Sequence, residues 1–431
     1  MSTALIYEEF LQSTGICTDT RKEVEGSLFF ALRGDQFDGN HFVENALKGG
    51  CRLAITERAD LEGSSRVVFV PSVLKLLQNL AHHHRLQVNP RLVAITGSNG
   101  KTTTKELMAA VLSTQFELLA TEGNLNNHIG VPLTLLKLNG EEIAVVEMGA
   151  NHPGEIAELA KIAAPELGLI TNVGKAHLEG FGSLKGVLNA KGELYEYLAA
   201  HGGSALIDGG DQILIRKANE SGVRSRLIAT GGDIPVSLNL MDQRPFLEIE
   251  LQIGDEVLAI STKLVGAYNM QNILLAAGAG VYFGISPKNI AVAISGYHPD
   301  NQRSQMIKGE RNSVVLDSYN ANPSSMREAI QGVLSYATLP TMLILGDMAE
   351  LGRSSEQEHR ALFQLIGTLD VDRVLLVGAN FYDVCEPSSH ITVFRERSDL
   401  EDFLRMAKPE GYHILVKGSR VMELERLASL L

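Results

Sequence analysis

Short apolar runs alternate with segments of helical periodicity along most of the chain, which indicates an α/β protein. The runs GSLFFAL, CRLAIT and VVFV flank two helical segments, residues 41–48 and 72–86. LVAIT then leads through a glycine-bearing turn into a helical segment at 101–114, and buried-strand candidates follow at 143–148 and 167–171. Because helical segments separate these apolar runs, we expect a parallel sheet that is covered on both faces.

The pattern changes twice in the remainder of the chain. Between about residues 204 and 264, polar and apolar positions alternate, as in VSLNL, FLEIELQI and VLAISTKL, and this predicts an antiparallel meander appended to the central sheet. After the polar segment HPDNQRSQ, a hinge candidate at 299–302, the runs VVLDSY, TMLILGDM, RVLLVGA and HILVKGS predict a further α/β unit. We expect three domains: a small α/β domain (1–87), a P-loop-type mononucleotide-binding parallel sheet with the meander (88–298), and a Rossmann-like α/β domain (299–431).

Composition narrows the functions that this architecture can serve. A chain of 431 residues, 45% of them hydrophobic, is long enough for several cores. The 38 Lys and Arg against 51 Asp and Glu give 38 − 51 = −13, so nucleic acid is not an expected partner. No apolar stretch reaches the roughly 18 residues of a membrane span. The three widely spaced cysteines predict neither disulfides nor a zinc site, which favours a reducing cytoplasm.

The segment TGSNGKTTTKE follows a predicted strand and opens a predicted helix, which is the context of a phosphate-binding loop. Its glycines let the main chain approach an anion, Lys101 can reach the β and γ phosphates of a nucleotide, and Thr102 offers a hydroxyl to Mg²⁺. The loop is shorter than the common one, because Ile95 stands five positions before Gly100. A plain glycine turn is the alternative, but it gives no reason for the lysine and the threonine. The expected nucleotide-binding residues are Gly97, Ser98, Asn99, Gly100, Lys101, Thr102 and Thr103.

Several other positions have both a functional and a structural interpretation. Glu147 ends an apolar parallel strand, at the edge where such sheets bind ligands, and the alternative is an exposed strand-end charge. Asn269 and Asn272 share a helix face and could read adenine, although helix capping fits equally well. Lys191, taken alone, has the pattern of a solvated helix charge. The triplet at 82–84 consists of histidines that point apart on a helix, which predicts solvated surface instead of a metal site.

Nine segments together resemble the Mur ligase family, over nearly the whole chain. They are TGSNGKTT, GNLNNHIGVPLTLL, VVEMGANHPGEI, TNVGKAHLEGFGS, NAKGELYEYL, GAYNMQNILLAAG, LDSYNANPSSM, LGDMAELG and VKGSR, in the family's order. The resemblance implies an ATP-dependent ligase that activates a carboxylate as an acyl phosphate, which an amine then attacks. SYNANP with LGDMAELG is similar to members that join D-alanyl-D-alanine to UDP-N-acetylmuramoyl-tripeptide for peptidoglycan synthesis. The alternative is a sister member that adds a single amino acid.

The resemblance also implies roles for individual residues. The catalytic set would be Lys101, Glu147, His177 and Lys191. Two Mg²⁺ ions would be held by Thr102, Glu147, His177 and a Lys191 carbamylated by CO₂. Beside the two asparagines of the helix, ATP would be bound from the third domain by Arg303 on phosphate, Asp317 on ribose, Tyr319 and Asn320. Tyr268, where histidine is frequent, and LIDGGD, in place of Asn-x-Asp-Asp, depart from the family pattern.

Two substrates follow from the same resemblance. For the uridine and diphosphate end of the first, the matching positions are Asp19, Thr20, Arg21, Ser27, Phe37, Asp38, Gly39 and His41. Further substrate-binding candidates in GNLNNHIG are Asn124, Asn126, Asn127 and His128. For the dipeptide they are Asn322, Ser325, Asp347 and Glu350. We expect a cytoplasmic monomer without membrane contact.

Two other classes of function are less well supported by the sequence. A non-catalytic nucleotide switch would have no use for Glu147, His177 and Lys191 together, because binding alone needs no second metal. An ATP-driven machine acting on nucleic acid is disfavoured by the short loop and the acidic charge balance.

Overall fold

The N-terminal part of the computed structural model, which describes residues 3–22, 24–34, 37–309, 311–338 and 340–431, is a small α/β unit. Its parallel sheet has the strand order β1-β2-β5-β6, with a short β3-β4 hairpin at its side. The strands are β1 (Ile16–Cys17), β2 (Leu28–Phe30), β3 (Arg33–Gly34), β4 (Phe37–Asp38), β5 (Leu53–Thr56) and β6 (Val67–Phe69). The helices are α1 (Thr3–Leu11), α2 (Val43–Lys48) and α3 (Val73–Val88), with 3₁₀ turns at Gly39–Phe42 and Ala59–Leu61.

A six-stranded, all-parallel sheet forms the middle of the chain, in the order β12-β11-β10-β7-β9-β8. The strands are β7 (Arg91–Thr96), β8 (Leu118–Ala120), β9 (Ile143–Glu147), β10 (Leu167–Ile170), β11 (Ser204–Asp208) and β12 (Arg224–Ile228). The helices are α4 (Lys101–Leu112), α5 (Gly130–Leu135), α6 (Glu155–Ala163), α7 (Leu178–Phe181), α8 (Leu184–Ala200) and α9 (Gln212–Ser221). Since β7 lies between β9 and β10, the strand order reverses at its carboxyl end, and this opens a crevice where ligands bind.

The antiparallel meander is a separate three-stranded sheet that begins later than predicted. Its strands are β13 (Val236–Gln243), β14 (Phe246–Ile253) and β15 (Glu256–Val265). The prediction was wrong for 204–228, which supplies two parallel strands of the central sheet, because SALID is a buried run and not an alternating one. Alternate residues of β14 pack against the helices α10 (Asn269–Tyr282) and α11 (Pro287–Gly296), which close this part of the core.

The C-terminal unit contains a second six-stranded sheet, in the order β16-β17-β21-β18-β19-β20, with only β16 antiparallel. The strands are β16 (Gln305–Lys308), β17 (Ser313–Asp317), β18 (Thr341–Gly346), β19 (Arg373–Val377), β20 (Ile391–Phe394) and β21 (His413–Lys417). The helices are α12 (Pro323–Leu334), α13 (Ser355–Ile366), α14 (Ala379–Val384) and α15 (Arg397–Ala407), with 3₁₀ turns at Gly352–Ser354, Arg420–Met422 and Leu424–Leu430. The predicted α/β class and multi-sheet architecture are confirmed, although β16 and β20 had not been predicted.

Helix α3 joins the N-terminal unit firmly to the central one. Arg85 is 5% exposed and donates to the carbonyl oxygens of Ala163 and Ala164, at 2.8 and 3.0 Å, where α6 ends. His82 donates to Ile162 O at 3.0 Å, and buried His84 contacts Leu138 O at 2.8 Å. The predicted solvated histidine triplet was therefore wrong, because α3 is covered by neighbours from both units. Positive side chains at a helix carboxyl end also stabilise the α6 dipole.

Replacing Arg85 by Met should lower the free energy of unfolding by about 2–3 kcal/mol, because two buried carbonyl groups lose their donors. Urea unfolding of the full chain, followed by circular dichroism, measures the change. Arg360→Met is the matched control: its exposed ion pair with Glu356 spans one helical turn, so its loss should cost about 0.5 kcal/mol or less. Equal effects of the two substitutions would contradict a capping role for Arg85.

Candidate active site between the central and C-terminal sheets

The loop between β7 and α4 can be formed only by glycines at two places. Gly97 has φ +148°, and a Cβ there would lie 1.9 Å from Thr171 Oγ1. Gly100 has φ +76°, and its Cβ would lie 2.2 Å from Asn272 Oδ1. The loop is thus held between the segment after β10 and helix α10, and it leads directly into the positive end of α4.

Lys101, the first residue of α4, folds back over this loop. Its ammonium donates to Gly97 O at 2.9 Å and lies 3.4 Å from Ser98 O. Desolvation lowers the pKa of the Lys101 side chain. The main chain of Asn99 is fixed from the other side, since Asn172 Oδ1 accepts its N–H at 3.0 Å. A rigid main-chain loop with a cation above it is a suitable receptor for phosphate oxygens.

Thr102 and Glu147 converge, as expected for two ligands of one cation. Thr102 Oγ1 donates to Glu147 Oε2 at 2.8 Å, and Asn126 Nδ2 donates to Oε1 at 2.7 Å. The carboxylate is 1% exposed and has no cation within ion-pair distance among the residues that the structure describes. A buried carboxylate whose contacts are neutral donors is a chemically sensible ligand for Mg²⁺.

Lys191 lies behind the loop and is fully buried on α8. Its ammonium has a carbonyl oxygen, that of Ala150, at 3.4 Å, and the ring of Phe181 at 5.3 Å. Desolvation is the largest cause that lowers the pKa of Lys191 to about 7, and the nearby charge of Lys101 adds to it. The pattern of a solvated charge, which the bare sequence suggested, does not describe this side chain.

His177 faces the C-terminal unit across the crevice. Its Nδ1 lies 2.6 Å from Oε2 of Glu350, within ion-pair distance, but without the alignment of a linear hydrogen bond. This contact is the largest cause that lowers the pKa of Glu350. Glu350 had been expected beside the dipeptide, and the structure places it on the histidine.

The C-terminal sheet presents its own charged groups to the same crevice. Arg303 stacks on Tyr319, with 3.7 Å between Cζ and the ring centre. Lys417, which ends β21, lies 2.5 Å from Oδ2 of Asp317 at the end of the adjacent strand β17. Its ammonium also lies 3.2 Å from the carbonyl oxygen of Asn320. Lys417 therefore organises the predicted nucleotide-binding loop.

Asn322 joins the two units at the phosphate loop. Its Nδ2 donates to Asn99 Oδ1 at 2.7 Å, while its Oδ1 caps α12 by accepting from Ser325 N at 2.9 Å. Ser325 completes the capping box through its hydroxyl. Both side chains have structural partners as well as a place at the crevice.

Most of the predicted nucleotide and catalytic residues line one cavity of about 470 Å³. It is lined, among others, by Ser98, Asn99, Gly100, Lys101, Thr103, Asn124, Asn126, Asn127, His128, Glu147, His177, Asn269, Asn272, Arg303, Asp317, Tyr319, Asn320, Asn322, Ser325 and Glu350. A second cavity of about 580 Å³ adjoins it and shares Asn172, Tyr268 and Glu328 with it.

The two asparagines of α10 have most of their amide groups occupied. Asn269 donates to Val265 O at 2.9 Å and accepts from Asn272 at 2.8 Å. Asn272 also accepts from Thr104 Oγ1 at 3.0 Å. They share one face, as predicted, but they serve the packing of α10 against the loop.

Other predicted residues are not brought to the cavity. Asp347 is buried and accepts from the main chain of Asn380 and Phe381, which caps α14. The uridine candidates lie apart, in the small N-terminal unit, where Arg21 pairs with Asp19 and its side chain is 89% exposed. In the same region Phe37 and His41 are exposed, Thr20 and Asp38 are half-buried, and Gly39 and Ser27 are buried.

The sequence interpretation missed Lys417 and Asn172. Lys417 ends an apolar strand in HILVK, and this is the same signal that had pointed to Glu147. No sequence pattern indicated Asn172, because Asn99, whose main chain it holds, lies 73 positions away in the chain. Among the described residues, no group of three or more His, Cys, Asp or Glu side chains could hold a metal ion by itself. No helix in the described part of the chain is long and apolar enough to cross a membrane.

Gly97→Ala should weaken nucleotide binding about 30- to 150-fold, because the added Cβ must displace Thr171 and distort the loop, at a cost of about 2–3 kcal/mol. Calorimetric titration with ADP measures this affinity. Gly296→Ala is the control, since a Cβ there meets open space and its φ is not in the left-handed region. Wild-type affinity in Gly97→Ala would exclude this loop as the phosphate site.

Three family models match successive parts of the chain. They are the Mur ligase family, catalytic domain (12–85), the Mur ligase middle domain (95–280) and the Mur ligase, glutamate ligase domain (302–420). A Bacillus subtilis (strain 168) protein named UDP-N-acetylmuramoyl-tripeptide--D-alanyl-D-alanine ligase is 35% identical over 424 residues, 96% of this chain and 92% of that protein. An Escherichia coli (strain K12) protein of the same name is 36% identical over 426 residues, with 96% and 93% covered.

Solved structures agree over the same length. A crystal structure of MurF from Acinetobacter baumannii superposes with a TM-score of 0.89 at 30% identity, covering 99% of this chain and 98% of that one. MurF ligase from Thermotoga maritima in complex with ADP gives 0.86 at 26% identity, covering 98% and 97%. The resemblance that the sequence motifs predicted is confirmed, and the chain belongs to the Mur ligase family.

Proposed function

We propose that this protein is an ATP-dependent ligase that joins D-alanyl-D-alanine to UDP-N-acetylmuramoyl-tripeptide and forms the pentapeptide precursor of peptidoglycan, ADP and phosphate. The observation that carries the proposal is the shared cavity, into which the phosphate loop, Glu147 and His177 of one unit and Arg303 of the other all face. Relatives that match almost the whole chain are named for this reaction.

Formation of an acyl phosphate brings two anions together, so the site must offset negative charge. Lys101 lies on one side of the cavity and Arg303 on the other, which suits a triphosphate between the two units. We assign the phosphates to the loop and the ribose to the Asp317 side. Because Asn269 and Asn272 are already bonded, the adjoining cavity beside Tyr268 is the better place for the base.

Magnesium fits the residues at the loop. Thr102 and Glu147 offer hydroxyl and carboxylate oxygens 2.8 Å apart, and phosphate oxygens and water would complete the ligands of the ion. A bound Mg²⁺ would supply charge to the transferring phosphoryl group. His177, which lines the same cavity, is the candidate ligand for a second ion.

Carbamylation of Lys191 is a further part of the proposal. CO₂ reacts with a neutral amine, and a fully buried ammonium without a carboxylate in contact, among the described residues, favours the neutral form. The product would turn a buried cation into an anion that can serve the second ion. A permanently charged Lys191 ammonium would be less stable beside the Ala150 carbonyl and the Phe181 ring, because neither carries a compensating negative charge.

The three units divide the work in this proposal. Residues 1–87 bind the uridine nucleotide, 88–298 bind and cleave ATP, and 299–431 bring the dipeptide and close over the cavity. Closure excludes water, which would otherwise hydrolyse the acyl phosphate. The three buried free cysteines are consistent with a cytoplasmic location, and we propose a monomer.

Phosphate release from ATP should require both UDP-N-acetylmuramoyl-tripeptide and D-alanyl-D-alanine, and the product should have the mass of the pentapeptide. The assay omits each substrate in turn from purified protein with Mg²⁺. Turnover with a single amino acid in place of the dipeptide would instead identify a sister ligase. Turnover with ATP alone would identify a simple ATPase.

Lys191→Ala should lower kcat about 100-fold, and added acetate or formate should restore part of it. With ¹³C-bicarbonate, the wild type should show a carbamate carbon signal in NMR that the variant lacks. Since the pKa is about 7, the amine is about one-tenth neutral at pH 6 and about nine-tenths at pH 8, so the signal should weaken as the pH falls.

Lys185→Ala is the matched control for that experiment, because Lys185 is an exposed lysine on the same helix. It should leave both kcat and the carbon signal unchanged. A wild type without the signal across this pH range would remove the carbamate from the proposal and leave the ligase reaction intact.

A further inference from the structure

Two loops from different units interlock beside His177. The C-terminal loop that ends in Glu350 and Gly352 lies against the start of α7 in the central unit. Glu179 N donates to Glu350 O at 3.2 Å, and a Cβ on Gly352 would lie 3.1 Å from Glu179 Cβ. Glu350 adopts φ +62°, a left-handed conformation that is strained for a glutamate. The main chain of Glu350 is therefore held against the central unit, and from this position its carboxylate reaches His177.

The ring of His177 is held on its other sides as well. The residue precedes α7 with φ +51°, and its ring packs edge-on against Phe181, with 6.2 Å between ring centres. With Nδ1 at 2.6 Å from the carboxylate of Glu350, Nε2 is the ring nitrogen that remains for the cavity. A neutral imidazole carries a proton on only one nitrogen, so a carboxylate at Nδ1 selects the tautomer whose Nε2 has a free lone pair.

We propose that Glu350 is a positioning residue, which the C-terminal unit delivers to His177 and which fixes the ring with its proton on Nδ1 and its Nε2 lone pair towards the cavity. The consequence for the reaction rests on the function proposed above. His177 would thus be ready to act only while the C-terminal unit is closed. Carboxylate partners of this kind orient histidines that bind metals or phosphate-bearing ligands.

A purely structural role in holding the two units together explains the contact between Glu350 and His177 less completely. Lys175 already pairs with buried Glu358 across the same boundary, and Asn322 already bonds to Asn99. Closure therefore has other polar contacts, whereas Glu350 alone, among the described side chains, approaches a ring nitrogen of His177. The specific effect of Glu350 should therefore be on the tautomer of the His177 ring.

The test measures the tautomer of His177 by ¹⁵N NMR in the full-length protein saturated with ADP, with His177→Gln used to assign the signal. In the wild type, Nδ1 should carry the proton. Glu350→Ala should lose this preference, and Glu350→Gln should keep it, because an amide oxygen in place of the carboxylate also favours a proton on the facing Nδ1. In turnover, Glu350→Ala should lower kcat about 10- to 100-fold with the KM for ATP nearly unchanged, and Glu350→Gln should recover part of kcat.

Glu179→Ala is the matched control, since it removes an exposed carboxylate two positions from His177 while its main-chain bond to Glu350 and its Cβ remain. It should change neither the tautomer nor kcat. The same tautomer in Glu350→Ala and the wild type would overturn the proposal, and so would equal losses of kcat in Glu350→Ala and Glu179→Ala. A wild type without dipeptide-dependent turnover would refute the proposed function instead, because the nitrogen signals do not depend on the substrates.

Discussion

The close packing of the phosphate loop against its two neighbours is the constraint on which the site depends. Gly97 and Gly100 leave no room for a Cβ, so Thr171 and Asn272 can hold the loop from both sides. The position of the loop fixes the start of α4, and thereby places Thr102 against Glu147. It also presents Asn99 to Asn322, which ties the C-terminal unit to the same few atoms. A distortion of the loop would therefore change the phosphate site and the domain contact together.

The cations around the cavity differ in how they are compensated, and this difference suits them to different tasks. Lys417 is paired with Asp317 and is fully engaged in holding a loop. Among the described residues, Lys101 contacts carbonyl oxygens and Arg303 an aromatic face, and neither has a carboxylate within ion-pair distance, so both can still gain a full anionic partner. Lys191 lies outside the lining of the cavity, is fully buried with a carbonyl contact at 3.4 Å, and has its pKa lowered to about 7 by desolvation. Burial without a counter-charge in contact thus distinguishes Lys191 from the other cations, and it is this difference on which the proposed carbamate depends.

The parts of this structure that depend on local signals could be predicted from the sequence. Strand β7, the glycines and the lysine of the loop, and the glutamate that ends β9 each follow from neighbouring residues. Partners that are distant in the chain could not be predicted, as the bond of Asn172 to Asn99 illustrates. Nor does a motif tell which way a side chain turns: Asp347 and Glu350 stand three positions apart, yet one caps a buried helix and the other meets His177. The residues at 204–228 were misassigned because the alternation of the later strands was extended back to SALID, which is a buried run of the central parallel sheet.

The contacts that join the C-terminal unit to the central one are both apolar and polar. Val265, Phe246 and Leu178 of the central unit pack against the apolar core of the C-terminal unit, and polar pairs lie beside the cavity. Three polar pairs cross between the units: Asn322 with Asn99, Lys175 with Glu358, and Glu350 with His177. If the units separate, these groups can bond to water instead, so the net free-energy cost of losing each pair is modest. Tyr297 and Asn301, in contrast, bond to Glu106 on the phosphate-loop helix and anchor the connecting segment. The connecting segment is therefore tied to the phosphate-loop helix, and in the closure proposed above the units would separate only at the contacts that lie beyond it.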